Sequence, residues 1–372
     1  MAKTNMTPRD IYEKSGVSYR AMDPVKKSAQ KLAKSTAKNL LRLKEKEVPE
    51  SRGESSYVYD CGDHYRAFVI EGLGTKNIVE DEMIKITGKS YYSVISQDTV
   101  AMIVNDLITV GAKPEVINAY FAVGHSSWFS DKKRVRELLL GWKRACNLAG
   151  ATWGGGETPT LTNIVHKNTI ELAGAATGVI RPKSRLVLGE KLGAGDLIIL
   201  LESSGIHANG LTLARRIAKK LPQGLATPMP SGKMFGEALR RPTIIYAKFI
   251  DELFDQKVDI HYMVNITGHG WRKIMRHPKK LSYVIEMIPT PQEEFTFMQE
   301  QGQISEKDMY GNFNMGAGFG IFINPKDLNK VETAAKSQKL KIYNAGYVKK
   351  GPREVQILPK NLTFKSESLD LR

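Results

Sequence analysis

The sequence predicts a mixed α/β protein of two domains, and three observations carry that expectation. The chain has 372 residues, enough for two cores at the usual domain size. Short strand-like runs alternate with helical apolar periodicities through its first half. Near Arg181 the pattern starts again: a buried-looking strand, G-D-L-I-I-L-L-E (195–202), a polar glycine loop, S-S-G-I-H-A-N-G (203–210), and a helix, L-T-L-A-R-R-I-A-K-K (211–220). The expected domains are therefore 1–180 and 181–372. No internal period of roughly 20 to 50 residues appears, which excludes a solenoid.

The stretch the first domain is organised around is S-Q-D-T-V-A-M-I-V-N-D-L-I-T-V-G-A-K-P, residues 96–114. Val100, Ala101, Ile103, Val104, Leu107 and Ile108 form an apolar helical face. Asp98 is placed to cap the helix, Gly111 to stop it and Pro114 to follow. At roughly 100° per residue, Asp98 and Asn105 fall within about 20° of each other, with Asp106 about 80° further round. Two carboxylates and an amide can thus converge near one edge. Such oxygen ligands suit Mg²⁺ on a nucleotide phosphate; an N-cap followed by a solvated Asn-Asp face accounts for the residues equally well.

Taken in order, residues 1–24 read as an irregular arm, and Pro24 opens a helix to about Lys46. Val25, Ala29, Leu32, Ala33, Leu40 and Leu43 share one face of it, lysines the other. One apolar stripe packed on a core is the favoured reading; membrane or RNA contact is the alternative. Residues 48–63 read as a loop and 65–70 as a strand. The strand runs into E-G-L-G-T-K, residues 71–76. There Gly72 and Gly74 let backbone N–H groups approach a phosphate, and Lys76 adds a charge. The spacing is not that of a Walker loop. Residues 116–123 read as a strand and 131–149 as a helix. Residues 151–158, A-T-W-G-G-G-E-T, read as a small-residue loop: Gly155 and Gly156 admit a ligand's close approach, and Glu157 could bind metal or orient an amine. Residues 170–180 read as a strand. In the second domain the 203–210 loop leading into a helix N-terminus is an anion site by geometry, and it carries His207 and Asn209. In residues 308–323 a loop feeds a strand whose Gly316, Gly318 and Gly320 suggest a face pressed on another backbone. The tail after Gly351 reads as polar and flexible.

Composition narrows the class. The formal charge of +16 fits nucleic acid or phosphorylated substrates, and a generally basic surface is the simplest account. No recognised nucleic-acid motif accompanies it. Cys61 and Cys146 make neither a metal spacing nor a disulfide framework, so both are expected reduced and inert, in a cytosol. No apolar run is long enough to span a bilayer, and M-A-K-T-N-M-T resembles no secretory signal.

Seven stretches, in order, resemble the aminoimidazole ribonucleotide synthetase (phosphoribosylformylglycinamidine cyclo-ligase) family: Y-E-K-S-G-V (12–17), E-G-L-G-T-K, Q-D-T-V-A-M-I-V-N-D-L-I-T-V-G-A-K-P, G-G-E-T, S-S-G-I-H-A-N-G-L-T-L-A-R-R, I-T-G-H-G-W (266–271) and M-Y-G-N-F-N-M-G-A-G (309–318). The resemblance implies an N-terminal domain whose sheet joins its partner's in a homodimeric barrel, a C-terminal α/β sandwich domain, and an ATP site in the cleft between them. It implies ATP-driven closure of an imidazole ring on a phosphorylated small molecule in the cytoplasm, with Mg²⁺ bridging phosphates. Glu71, Asp98, Asp106 and Glu157 are then the expected metal ligands. Gly72, Gly74, Thr75, Lys76, Asn105, Gly155 and Gly156 would hold ATP, and Asp98, His207 and Asn209 would serve the reaction. Loss of the Asp98 charge would remove activity and leave the fold intact. The chain departs from the family at Glu71, where an Asp is usual, in residues 54–60, in T-P-T-L-T after G-G-E, and at His269, where a glycine is usual. Related enzymes fit less well. A selenophosphate synthetase needs a reactive Cys in a glycine-rich loop, a hydrogenase-maturation dehydratase a Cys-bearing tail, and a thiamine monophosphate kinase further aspartates. A non-catalytic, basic nucleotide-binding scaffold is the alternative from another class.

Overall fold

A computed structural model describes residues 19–369; the Y-E-K-S-G-V stretch lies outside them. The chain runs through α1 (Tyr19–Lys34), β1 (Lys46–Glu47), β2 (Tyr57–Asp60), β3 (Tyr65–Gly72), α2 (Lys76–Thr87), α3 (Tyr92–Leu107), β4 (Lys113–Val123), α4 (Lys132–Ala149), β5 (Thr152–Glu157) and β6 (Ile170–Ile180). It continues through β7 (Leu197–Glu202), α5 (Leu211–Ala218), α6 (Phe235–Leu239), α7 (Ala247–Asp255), β8 (Ile260–Asn265), β9 (Leu281–Ile285), α8 (Glu293–Gly302), α9 (Glu306–Asn312), β10 (Ala317–Ile323), α10 (Leu328–Ser337), β11 (Ile342–Lys350), β12 (Glu354–Ile357) and β13 (Leu362–Lys365). Every strand up to β6 belongs to one sheet, in the order β1-β2-β3-β6-β4-β5, and every strand from β7 on to a second, in the order β13-β12-β9-β11-β7-β10-β8. Both are antiparallel except for the β4–β5 and β9–β12 pairs.

Helix α3 lies between the sheets. It packs on β3, β4 and β6 of the first, on β8 of the second and on α4. Val100, Ala101, Ile103, Val104 and Leu107 have no solvent exposure. Ser96, Asp98, Thr99, Asn105 and Asp106 are buried as well, so the helix is covered beyond the apolar face read from the sequence. Its start is corrected. The helix begins at Tyr92, so Asp98 sits in its interior and caps nothing. Ser93, Ser96 and Gln97 hid that first turn by interrupting the apolar pattern. Gly141 of α4 allows the turn to be covered, since a Cβ there would lie 2.5 Å from the Ser93 backbone. The C-terminal signal was correct: Gly111 takes φ +84°, and a Cβ on it would lie 1.9 Å from the Arg185 carbonyl.

Other expectations change for similar reasons. Residues 151–158 hold β5 rather than a loop: the strand pairs parallel with β4, with a register shift at Gly154 and with Gly155 at φ +139°, and a Cβ on Gly156 would meet the Ala119 carbonyl at 2.1 Å. Residues 48–63 contain β2, and α9 precedes β10. The tail is ordered into β12 and β13, with Val355 and Phe364 buried. Gly318 faces side chains, the Tyr246 hydroxyl and the His207 ring, rather than a backbone. The N-terminal helix ends at Lys34 and a 3-10 turn (Ala37–Leu43) follows. Val25 and Leu32 are 67% and 72% exposed, so the expected apolar stripe is not packed on a core. Cys61 and Cys146 are free, and burial pushes each thiol up to about 11, out of the reactive range. Among the described residues no helix is long and apolar enough to cross a membrane.

Candidate functional site

Two strand-to-helix loops meet where the sheets adjoin. One runs from Gly72 at the end of β3 to α2, the other from Glu202 at the end of β7 to α5. The hydroxyls of Thr75, preceding α2, and Thr212, in the first turn of α5, lie 3.2 Å apart. Two helix N-termini therefore converge, each with free backbone N–H groups and a positive dipole end. Gly74 takes φ +75° with nothing within 4 Å of a Cβ position, which leaves the loop surface open to a ligand. Asn209 stands on the other loop, with its amide nitrogen 3.7 Å from the Met102 sulfur. Such a pair of N-termini suits phosphate.

Lys76 does not reach into this space. It has no solvent exposure; its Nζ lies 2.9 Å from Asp98 Oδ2 and donates to the Arg241 carbonyl at 2.6 Å. Burial pulls the lysine's pKa down and the aspartate's up, so each is the other's reason for staying charged. The other Asp98 oxygen accepts from the Thr243 backbone N–H at 2.7 Å and from its hydroxyl. Asn105 donates to the Ile244 carbonyl at 2.8 Å and accepts from the Tyr246 N–H at 3.1 Å. Asp98 and Asn105 do share a helix edge, as their spacing requires, but that edge clamps residues 243–246. Lys76, Asp98 and Asn105, expected at metal or phosphate, each have partners within the fold.

Glu71 and Asp106 are different. Their carboxyl groups neighbour each other, and burial together with the Asp106 charge pushes Glu71 up to about 7. Lys273 lies beside both and is itself pulled down to about 8 by burial. Asp106 also accepts from the Asn265 side chain at 2.7 Å. Two carboxylates in contact fit a divalent cation, which relieves their repulsion. Mg²⁺ takes one or two carboxylates and fills its remaining positions with water and phosphate oxygens. Among the described residues no group of three or more His, Cys, Asp or Glu is placed to hold a metal, so a ligand set of four is not present. Glu157 is exposed on the edge strand, and its carboxylate accepts from the Thr158 N–H. The paired rows of the sheet place it opposite Gly72 three strands across, about 14 Å away. Gly155 and Gly156 share that edge, apart from the paired loops.

His207 is buried at φ +59°, and its Nε2 accepts the Ser204 N–H at 3.2 Å. Burial and the nearby Lys76 pull it down to about 3. The ring is neutral and shapes its own loop. His269 is likewise pulled down to about 2, by burial and then by Lys273, Arg272, Lys26 and Arg276. This cationic group, with Lys273 and Asn265, escaped the sequence reading. The only signal was closeness to I-T-G-H-G-W, which does not say which side chains turn toward Asp106.

Comparison with known proteins identifies the family and the fold. Residues 53–180 match the N-terminal domain of AIR synthase related proteins, and residues 193–358 the C-terminal domain. The phosphoribosylformylglycinamidine cyclo-ligase of Methanocaldococcus jannaschii is 33% identical over 274 residues, 73% of this chain and 75% of that protein. The enzyme of the same name from Methanothermobacter thermautotrophicus is 34% identical over 290 residues, 77% and 82% of the two chains. This chain belongs to the phosphoribosylformylglycinamidine cyclo-ligase family. Solved structures share the family's fold at lower identity. Thiamine monophosphate kinase from Aquifex aeolicus superposes with a TM-score of 0.54 at 16% identity, over 81% of this chain and 90% of that one. PurL of T. maritima, complexed with FGAR, does so at 0.56 and 14%, over 83% and 46%.

Two outcomes follow from these charges. Asp98→Asn strands a buried lysine and is expected to destabilise the fold by about 3 kcal/mol or more, with Lys76→Met added to it recovering at least half; urea unfolding of the three variants checks this. Glu71 favours its protonated form in the fold, so its stabilising contribution is present below pH 4.5 and is lost as pH rises through about 7. In chelator-treated protein, Glu71→Gln should therefore lose less stability than wild type between pH 5 and pH 8. Parallel slopes of unfolding midpoint against pH would refute it.

Proposed function

We propose that this protein closes the imidazole ring of aminoimidazole ribonucleotide from formylglycinamidine ribonucleotide, with ATP as phosphoryl donor, in cytoplasmic purine biosynthesis. The family relationship supports the activity. The observation that carries the placement is the meeting of two helix N-termini at Thr75 and Thr212 beside the Glu71–Asp106 pair. The γ-phosphoryl group passes to the formyl oxygen. The amidine nitrogen that bears the ribose attacks the formyl carbon, and that oxygen departs as phosphate. The protein's part in such a transfer is positioning and charge neutralisation. Gly72, Gly74 and Thr75 cradle the nucleotide phosphates with backbone and hydroxyl donors, and Asn209 and the N-terminus of α5 complete the site. Glu71 and Asp106 would hold Mg²⁺, which supplies neutralisation of phosphate charge. Lys76, Asp98 and Asn105 act behind the site by fixing the loops, as does His207. The domains meet near residue 181, with the reactants in the cleft between them.

The outer face of the first sheet supports a homodimer. Phe68, Ile70 and Val116 stand 43%, 70% and 39% exposed there, on β3 and β4, the two strands that flank β6. Contiguous apolar surface of this kind marks an interface. The proposal is a barrel formed with a second copy.

Purified protein given ATP, Mg²⁺ and formylglycinamidine ribonucleotide is expected to form the aminoimidazole and one ADP per ring. ATP binding without ring formation would point instead to a non-catalytic scaffold. Glu71→Asp should retain activity within about tenfold, since a metal-bound water spans the missing methylene, whereas Glu71→Gln loses far more; equal losses would remove Glu71 from the metal site. Sedimentation at micromolar concentration should give twice the chain mass, and Ile70→Glu should reduce it to one. A monomeric wild type would exclude the barrel.

A further inference from the structure

The two domains are also joined away from the paired loops, through an arginine. Arg276 follows the 3-10 turn Gly270–Met275, which carries Lys273. All three nitrogens of its guanidinium group are engaged by one short segment of the first domain. Nη2 and Nε donate to the Gly53 carbonyl at 2.8 and 3.2 Å, and Nη1 donates to the Ser55 hydroxyl at 3.0 Å. Nε also lies 3.4 Å from Oε2 of Glu54. Gly53 takes φ +83°, a backbone conformation that a side chain would resist. The Glu54 carboxylate is buried. It accepts from the Tyr262 hydroxyl, which lies 3.0 Å from one oxygen and 2.9 Å from the other.

These contacts close a circuit around Asp106. Next to Ser55, the buried Ser56 donates its hydroxyl to the Asp106 carbonyl at 3.2 Å, and Thr109 donates to the same carbonyl at 2.7 Å. Tyr262 stands on β8, and Asn265 at the end of that strand donates to the Asp106 carboxylate at 2.7 Å. Asp106 is therefore held through its backbone by the 53–56 segment and through its side chain by β8. Glu54 and Arg276 tie these two holds together. A buried ion pair is weak evidence of stability, because apolar side chains of similar volume commonly serve as well. What apolar side chains cannot do is fix a direction. A planar guanidinium with every nitrogen engaged accepts one arrangement of its partners. Asp106, on the first domain, is thereby set against the turn that carries Lys273, on the second. A displacement of about 1 Å at a reacting centre can cost roughly 100-fold in rate, so a site shared between two domains depends on such a brace.

We propose that Arg276 and Glu54 are positioning residues for the reaction: they lock the 53–56 segment to the second domain, so that Asp106 meets Glu71 and the Lys273 turn at the spacing a magnesium-bound nucleotide requires. This rests on the reading of Glu71 and Asp106 as the cation site. Neither residue touches a reactant. Their influence runs through Ser56 on one side and through Tyr262 and β8 on the other.

The test compares Arg276→Lys, Glu54→Gln, Ser56→Ala and the Arg276→Lys/Ser56→Ala double variant, each in the full chain. The measurements are melting temperature, kcat/KM for ATP, the Mg²⁺ concentration that gives half-maximal turnover, and calorimetric affinity for ATP with Mg²⁺. Arg276→Lys keeps the charge and loses the planar fork. It is expected to keep its melting temperature within a few degrees, to lower kcat/KM for ATP by about 10- to 100-fold and to raise the Mg²⁺ requirement about tenfold. Glu54→Gln keeps an acceptor for Tyr262 and loses the charge facing Arg276. It should shift both quantities the same way by a smaller factor, and it remains measurable should Arg276→Lys fail to fold. Ser56→Ala cuts the link to Asp106 while leaving the clamp. The double variant should be little worse than the poorer single one, because both changes act on one carboxylate. A clamp that served stability alone would leave the Mg²⁺ requirement unmoved, with losses that follow the melting temperature and add in the double variant. That result overturns the proposal, as do wild-type kinetics in both Arg276→Lys and Glu54→Gln. If the wild type makes no aminoimidazole, the proposed function fails, and affinity for ATP with Mg²⁺ decides the positioning role. A fall of about tenfold in Arg276→Lys supports it; wild-type affinity in that variant, or no binding by the wild type, overturns it.

Discussion

A lysine with no access to water must be neutralised inside the protein, and much of this structure is arranged around meeting that demand. Lys76 opens α2, Asp98 lies in the interior of α3, and the carbonyl of Arg241 belongs to the second half of the chain. Holding these three together fixes α2 against α3 and both against the segment at 241–246. Asn105, two turns along the same edge, grips that segment again. The loops on either side then have little freedom, and the meeting of Thr75 with Thr212 follows from the grip behind them.

The same helix shows how one residue type serves two ends. Asp98 and Asp106 are eight residues apart on α3. Asp98 faces a cation and two donors and is at rest. Asp106 faces another carboxylate, and the strain shows in the raised pKa of Glu71. Lys273 beside the pair offsets only part of the repulsion and burial, since Glu71 remains raised. In the proposed function the pair would be completed as a cation site by a metal ion and the phosphates it carries. Charge placement, rather than a nucleophile or a general base, is what such a site contributes to phosphoryl transfer.

Much of the architecture was legible in the sequence. β3, β4, β6 and β7 alternate cleanly or form apolar runs, and α4 has an N-cap at Asp131 and Gly150 at its end. The helical geometry of Asp98, Asn105 and Asp106 was also legible, because periodicity fixes direction. Which partner waits in that direction was not, because Thr243, Lys76 and Asn265 come from distant parts of the chain. Lys76 illustrates the difficulty: in a glycine-rich turn a lysine reads as exposed, and only tertiary packing shows it enclosed. β5, β12 and β13 were missed for a related reason. Glycine and polar residues lower strand propensity, and pairing with a neighbouring strand overrides it.

The strand order of the second sheet bears on how the chain can acquire its fold. β7, β8 and β9 never touch one another; each finds its neighbours only among β10, β11 and β12. A ribosome that has released residues up to about 316 has therefore produced three apolar strands with no hydrogen-bonding partners, and α3 has only one of its two covering sheets. Pairings of such long sequence separation form slowly. The nascent chain must keep these edges from pairing with other molecules until residues 317–357 emerge. For this protein the interval between synthesis of β7 and of β11 is the period of greatest exposure to aggregation, and a holding chaperone has a defined window in which to act.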